Sequence, residues 1–148
     1  MPLLSRTEEI ILLAVWRLHG VDGALEEAWN SGVVLSGLSA GANCWFEAST
    51  TDSFLIGKAD QLIDGLGFVA GSFCPHYSSE PERRPNYINM VASGVLPGGY
   101  ACEDGAAVHF VGNELRSAVS VDGDAMAYRV TRHGNEAVEE PLSLVTPS

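Results

Sequence analysis

The chain predicts an α/β fold with a partly parallel sheet followed by antiparallel strands, and three observations carry that expectation. The apolar run Val33-Val34-Leu35 leads into Gly37-Leu38-Ser39-Ala40-Gly41-Ala42 and then a segment able to be helical, the strand, tight turn and helix order of parallel α/β units. Leu66 to Phe73 reads as a second buried strand ending at Cys74-Pro75-His76. Beyond Pro97 the chain changes to short alternating runs separated by Asp104-Gly105, Gly112-Asn113, Asp122-Gly123 and Gly134-Asn135, the punctuation of antiparallel strands.

Taken in order, Ser5-Arg6-Thr7-Glu8 has capping-box spacing, and Ile10, Leu13, Ala14 and Leu18 follow at helical intervals, predicting a helix over about 6–18 that stops at Gly20. Asp22 is placed to cap a second helix through Leu25, Ala28 and Trp29, ending at Asn30-Ser31-Gly32. A strand is expected at 33–36 and a helix at 40–47. The mixed, polar segment 48–64 reads as a loop with short extended pieces. Ser79-Glu80-Pro81-Glu82 opens another helix, running through Tyr87, Ile88 and Val91 to Gly94. Strands are expected at about 100–103, 106–111, 115–120, 126–131 and 137–143, with 144–148 a loose tail.

A length of 148 residues reads most simply as one domain, 1–148, able to bury a core without metal or disulfide support. The sequence has no run of membrane-spanning length and no signal-peptide core, which predicts a cytoplasmic protein. Cys44, Cys74 and Cys102 are odd in number and widely spaced, so buried free thiols are expected rather than disulfides or a zinc site. Nineteen acidic residues against eight basic ones give a net charge of −11, which disfavours nucleic acid and anionic membranes as partners. An acidic substrate would then need a local cationic pocket, and Arg83-Arg84 is an adjacent basic pair.

In a G-x-S-x-G turn the serine hydroxyl is lifted clear of the sheet edge, and the N–H of the next residue, Ala40, supplies an oxyanion donor. Gly37 and Gly41 are expected to remove Cβ atoms that would collide where strand and helix run back to back. A serine nucleophile needs a base, and the base needs an acid that fixes its tautomer. Of the four histidines, His19 suits a helix C-terminus, His109 a strand and His133 a turn, whereas His76 emerges at the end of a buried strand on the same sheet edge as Ser39. Asp52, in the loop between them, is the candidate acid, with Glu47 and Asp60 competing. Cys44, on the helix after the elbow, is expected to be a packed thiol.

Together, Gly37-Leu38-Ser39-Ala40-Gly41-Ala42-Asn43, Thr50-Thr51-Asp52, Gly71-Ser72-Phe73-Cys74-Pro75-His76-Tyr77, Gly99-Tyr100 and Asp104-Gly105-Ala106-Ala107 resemble the peptidase E family, the S51 serine peptidases. The resemblance runs from Leu12 onward. It implies a glutamine-amidotransferase-like three-layer α/β fold, with serine in place of the amidotransferase cysteine, and hydrolysis of dipeptides with an N-terminal aspartate, without metal or cofactor. It gives Ser39 as nucleophile and His76 as base, brings Asp52 near the acid, and brings Arg83 and Arg84 into the region of the arginine that holds the substrate's carboxylate; a guanidinium suits that bidentate contact. Either arginine could serve, and a solvated first helix turn is their bland alternative.

The chain departs from the family where Ser5-Arg6-Thr7-Glu8-Glu9 stands in place of a glycine-rich Gly-Gly-Gly-Asn loop, the source of a second oxyanion donor. The expectation is a shortened member lacking the N-terminal strands, with exposed edges that favour a homo-oligomer and activity lowered by about two to three orders of magnitude for the lost donor. The first rival reading is therefore an impaired or inactive relative. The second is an α/β-hydrolase-type esterase using His109 or His133, disfavoured because His76 lies only one strand beyond Ser39.

Overall fold

In a computed structural model of the chain, residues 8–55, 58–121 and 123–145 are described, the side chains of 8, 52–55 and 58–60 apart. The expected helices form at α1 (Glu8–His19), α2 (Val21–Asn30) and, beyond the third strand, α4 (Arg83–Ser93); between them α3 is a single turn, Ala40–Asn43. The strands are β1 (Phe46–Leu55), β2 (Lys58–Leu62), β3 (Val69–Cys74), β4 (Gly99–Cys102), β5 (Ala106–Val111), β6 (Glu114–Ser120), β7 (Ala127–His133), β8 (Glu136–Pro141) and β9 (Leu144–Val145).

They form a six-stranded sheet in the order β2-β1-β3-β4-β7-β8 and a three-stranded sheet, β5-β6-β9. β1, β3 and β4 are mutually parallel at the centre, while β2, β7 and β8 run antiparallel to their neighbours. One face of the large sheet buries Ala48, Cys74, Ala101 and Val130 against Tyr87 and Val91 of α4. The other packs Phe46, Val69, Phe73 and Cys102 against Ala118, Val108 and Phe110 of the β5–β6 hairpin. Leu13 of α1 meets Cys44 and Leu62 beside them. The result is a three-layer α/β arrangement. No helix among the described residues is long and apolar enough to cross a membrane.

Several expectations are corrected. The run 33–36 belongs to neither sheet. Val34 is 87% exposed, and a run without a hydrogen-bonded neighbour is not a strand. The helix after the elbow ends at Asn43, not near 47, because β1 begins at Phe46. The expected loop at 48–64 is largely the β1–β2 hairpin. Its Ser49, Thr50 and Thr51 are fully buried; polarity concealed a strand for which threonine's branched side chain is well suited. Asp22 is not the α2 cap, because Gly20 in the left-handed conformation (φ 70°) joins α1 to α2 directly and leaves Asp22 in the first turn. β4 is parallel to β3 and antiparallel only to β7. Leu144 and Val145 are not loose but pair with β6. The Ser5 capping box lies outside the described residues.

The three cysteines are buried free thiols. Burial pushes the Cys44, Cys74 and Cys102 thiols up to about 12. Thiolate is the reactive form, so native protein at pH 8 is expected to take up essentially no iodoacetamide and the same protein in denaturant to be alkylated at all three sites, as mass spectrometry would read. The sign of the linkage follows: as pH rises past 9 the unfolded chain releases thiol protons that the folded chain retains, and stability falls.

Candidate active site

Backbone hydrogen bonds shape the elbow. Ser39 has φ 50° and ψ −120°, a conformation that costs a non-glycine residue about 1–3 kcal/mol and recurs at functional sites. The N–H groups of Ala42 and Asn43 donate to the Ser39 carbonyl at 2.9 and 3.0 Å, and that of Gly41 to Leu38 at 2.9 Å. At Gly37 an added Cβ would fall 2.2 Å from the Gly41 carbonyl oxygen, so only glycine fits. Gly41 departs from expectation, since a Cβ there meets nothing within 4 Å. Gly37→Ala is therefore expected to destabilise the protein by about 3 kcal/mol or more, whereas Gly41→Ala leaves the unfolding midpoint close to that of the parent.

His76 follows β3 and also has a left-handed backbone, φ 55°. The turn is tied to β4 by the Tyr77 N–H, which donates to the Cys102 carbonyl at 3.1 Å. His76 Nε2 lies 2.8 Å from Ser39 Oγ, and its Nδ1 lies 2.6 Å from Asp104 Oδ1. Asp104 stands just beyond the C-terminal end of β4, the parallel neighbour of β3. The Ser79 hydroxyl, and after it the His76 ring, hold the Asp104 carboxyl below the usual carboxylate range against a desolvation that opposes them. An ionised carboxylate only accepts, so Nδ1 carries the ring proton and Nε2 is left as the acceptor for the serine hydroxyl.

Glu103 anchors the Asp104 turn. Its carboxylate accepts from Ser78 Oγ at 2.5 Å, the Met126 N–H at 3.0 Å and Tyr128 Oη at 3.3 Å. Desolvation works against the Glu103 charge, but these donors outweigh it and keep its carboxyl below the ordinary range.

Ser39 and His76 thus come together as expected, with Ala40 next to the serine. The acid on the imidazole is Asp104, not the expected Asp52. Asp52 falls within β1, and its side chain, like that of Asp60, lies outside the described residues. Glu47 instead accepts from the Gly71 N–H at 2.9 Å. Asp104-Gly105 marks a turn in the sequence and belongs to one of the motifs of the family resemblance, which gives Asp104 no role; its place on the imidazole follows from β4 lying next to β3.

Arg83 and Arg84 also differ from expectation. Arg83 is buried, with Nε and a terminal nitrogen on Glu80 Oε2 at 2.9 and 2.7 Å. Arg84 pairs with Glu139 and lies over the rings of Tyr77 and Tyr128. Neither lines the cleft at Ser39, a space of about 890 Å³ walled by Val33, Leu35, Phe46, Phe73 and Phe110, with His76 and His109 as its basic side chains. No group of three His, Cys, Asp or Glu able to hold a metal converges among the described residues.

Two comparisons bear on this geometry. Residues 8–118 match the family model described as peptidase family S51. The chain is also 48% identical over 131 residues to "Uncharacterized peptidase YgaJ" of Bacillus subtilis (strain 168), an alignment covering 88% of this chain and 56% of that protein. The chain therefore spans little more than half the length of that relative.

Proposed function

The chain belongs to peptidase family S51, and on that premise we propose that it is a serine peptidase of short peptides, with Ser39 as nucleophile, His76 as base and Asp104 as the acid that fixes the base. The observation that carries this reading is the continuous line of hydrogen bonds from Ser39 Oγ through both imidazole nitrogens to Asp104. The hydroxyl attacks the peptide carbonyl as its proton passes to Nε2. The imidazolium, stabilised by Asp104, then returns that proton to the leaving amine, and water repeats the sequence on the acyl-enzyme. The Ala40 N–H, at the first helical position and with no backbone acceptor among the described residues, supports a role as oxyanion donor.

Dipeptides with an N-terminal aspartate are the substrates implied by the family resemblance. Selecting that side chain calls for a cation beside the cleft, and the carboxylate partners of Arg83 and Arg84 argue against either as the selector. We place the reaction in the cytoplasm, on a small peptide, with neither nucleic acid nor membrane as partner. The test is release of leucine from Asp-Leu and Ala-Leu by purified chain beside a Ser39→Ala control. Release from Asp-Leu that the control lacks supports the peptidase. Folded protein that releases nothing above the control would overturn it in favour of the impaired-relative reading. An Asp-Leu preference that survives Arg83→Ala and Arg84→Ala assigns selection to another group.

A further inference from the structure

We infer that Glu9 is a positioning residue for Ser39, acting through Asn43, an inference that rests on the reading of Ser39 as nucleophile. The strained Ser39 backbone persists only where its surroundings over-determine it. The single turn α3 is too short to hold the elbow alone. Asn43, its last residue, is fully buried and supplies side-chain ties from α3 to its neighbours. Asn43 Nδ2 donates to the Thr50 carbonyl at 3.0 Å and to Glu9 Oε1 at 2.7 Å.

Glu9, in the first turn of α1, is only 5% exposed, and its other oxygen accepts from Thr51 Oγ1 at 3.1 Å. One carboxylate thus joins α1, α3 and β1. Neither Glu9 nor Asn43 lines the cleft, so neither can touch a substrate there, and burying a carboxylate in a merely structural corner is unfavourable unless its hydrogen bonds compensate.

The turn is also held at its C-cap, where the Leu66 N–H donates to the Cys44 carbonyl at 2.8 Å; the bond from Asn43 to Glu9 adds a tie to α1 that this contact and the bond to Thr50 do not supply. Because Asn43 N–H also donates to the Ser39 carbonyl, fixing Asn43 fixes the direction in which Ser39 Oγ meets His76 Nε2. A side-chain network behind the elbow therefore sets the geometry of proton transfer at its front, where misplacement by about 1 Å can lower a rate 100-fold.

The test is the rate at which Ser39 is phosphonylated by a fluorophosphonate probe, a readout independent of the peptide substrate. It is measured well below each variant's own unfolding midpoint on the parent, Glu9→Ala, Glu9→Gln and Glu9→Met. Glu9→Ala is expected to react about 10- to 100-fold more slowly while still folded, with the loss on a peptide substrate in kcat and not in KM. Glu9→Gln keeps an oxygen for Asn43 Nδ2 and stays near the parent rate. Glu9→Met preserves volume without an acceptor, so it serves if Glu9→Ala does not fold, and it should be slow. A folded Glu9→Ala or Glu9→Met that reacts at the parent rate, or a Glu9→Gln as slow as either, overturns the inference. A parent that is not labelled overturns the nucleophile reading and this inference with it, whereas labelled parent with unchanged variants overturns this inference alone.

Discussion

Ser39→Ala is expected to lower kcat for any peptide the chain hydrolyses by about six orders of magnitude, the scale for removing a nucleophile that works as a unit with its base. The fold should be unaffected, because the hydrogen bonds of the elbow are made by backbone N–H and C=O groups and not by the Ser39 hydroxyl. Leucine release and circular dichroism on one preparation check both halves. Activity that survived in the folded variant would mean that another group attacks the substrate. The buried thiols are poor substitutes, since at pH 7 their pKa values near 12 leave almost no thiolate.

The second large effect separates the two candidate acids. Asp104→Asn replaces an acceptor-only group with an amide able to donate to Nδ1, which favours the tautomer whose Nε2 already carries a proton and cannot receive the serine's. A fall in kcat of about four orders of magnitude follows, with KM nearly constant. Asp52→Asn is expected to leave kcat close to that of the parent, because Nδ1 already has Asp104 at 2.6 Å. The reverse ranking would restore the acid expected from the sequence. Asp104 lies below the usual carboxylate range, so its ionised form persists to lower pH than an ordinary aspartate's. Its contribution is present throughout the neutral range and is lost only as the pH falls through that lowered value.

What the sequence made legible was local. Hairpins β5–β6 and β7–β8 fall where their turn residues predict, because the turn chemistry acts over a few neighbouring residues. Ser39 and His76 could be paired because each lies beside a glycine-marked turn or the end of an apolar strand. Asp104 is nearer to His76 in sequence, 28 residues against the 37 between His76 and Ser39, but it sits in an Asp-Gly turn with no apolar strand end to mark it, and it reaches His76 only through the pairing of β3 with β4. The buried hydroxyls of Ser49, Thr50 and Thr51 disguised β1 as a loop for a related reason: composition reports polarity, whereas burial is decided by strands on either side. Conversely, Val33-Val34-Leu35 has the composition of a strand but no sheet neighbour. The arginines illustrate the same limit, because the carboxylate that occupies Arg84 comes from Glu139 in β8, 55 residues further along the chain.

Among the described residues, the non-glycine positions with positive φ are Ser39 and His76, the same two side chains that share the proposed proton transfer. Positive-φ strain outside glycine is therefore located, among the described residues, at the two residues whose side chains react rather than spread through the scaffold. Selection for thermal resistance and selection for turnover would then pull in opposite directions at these two codons, and a search for hardier variants that ignored activity would be drawn to glycine at both.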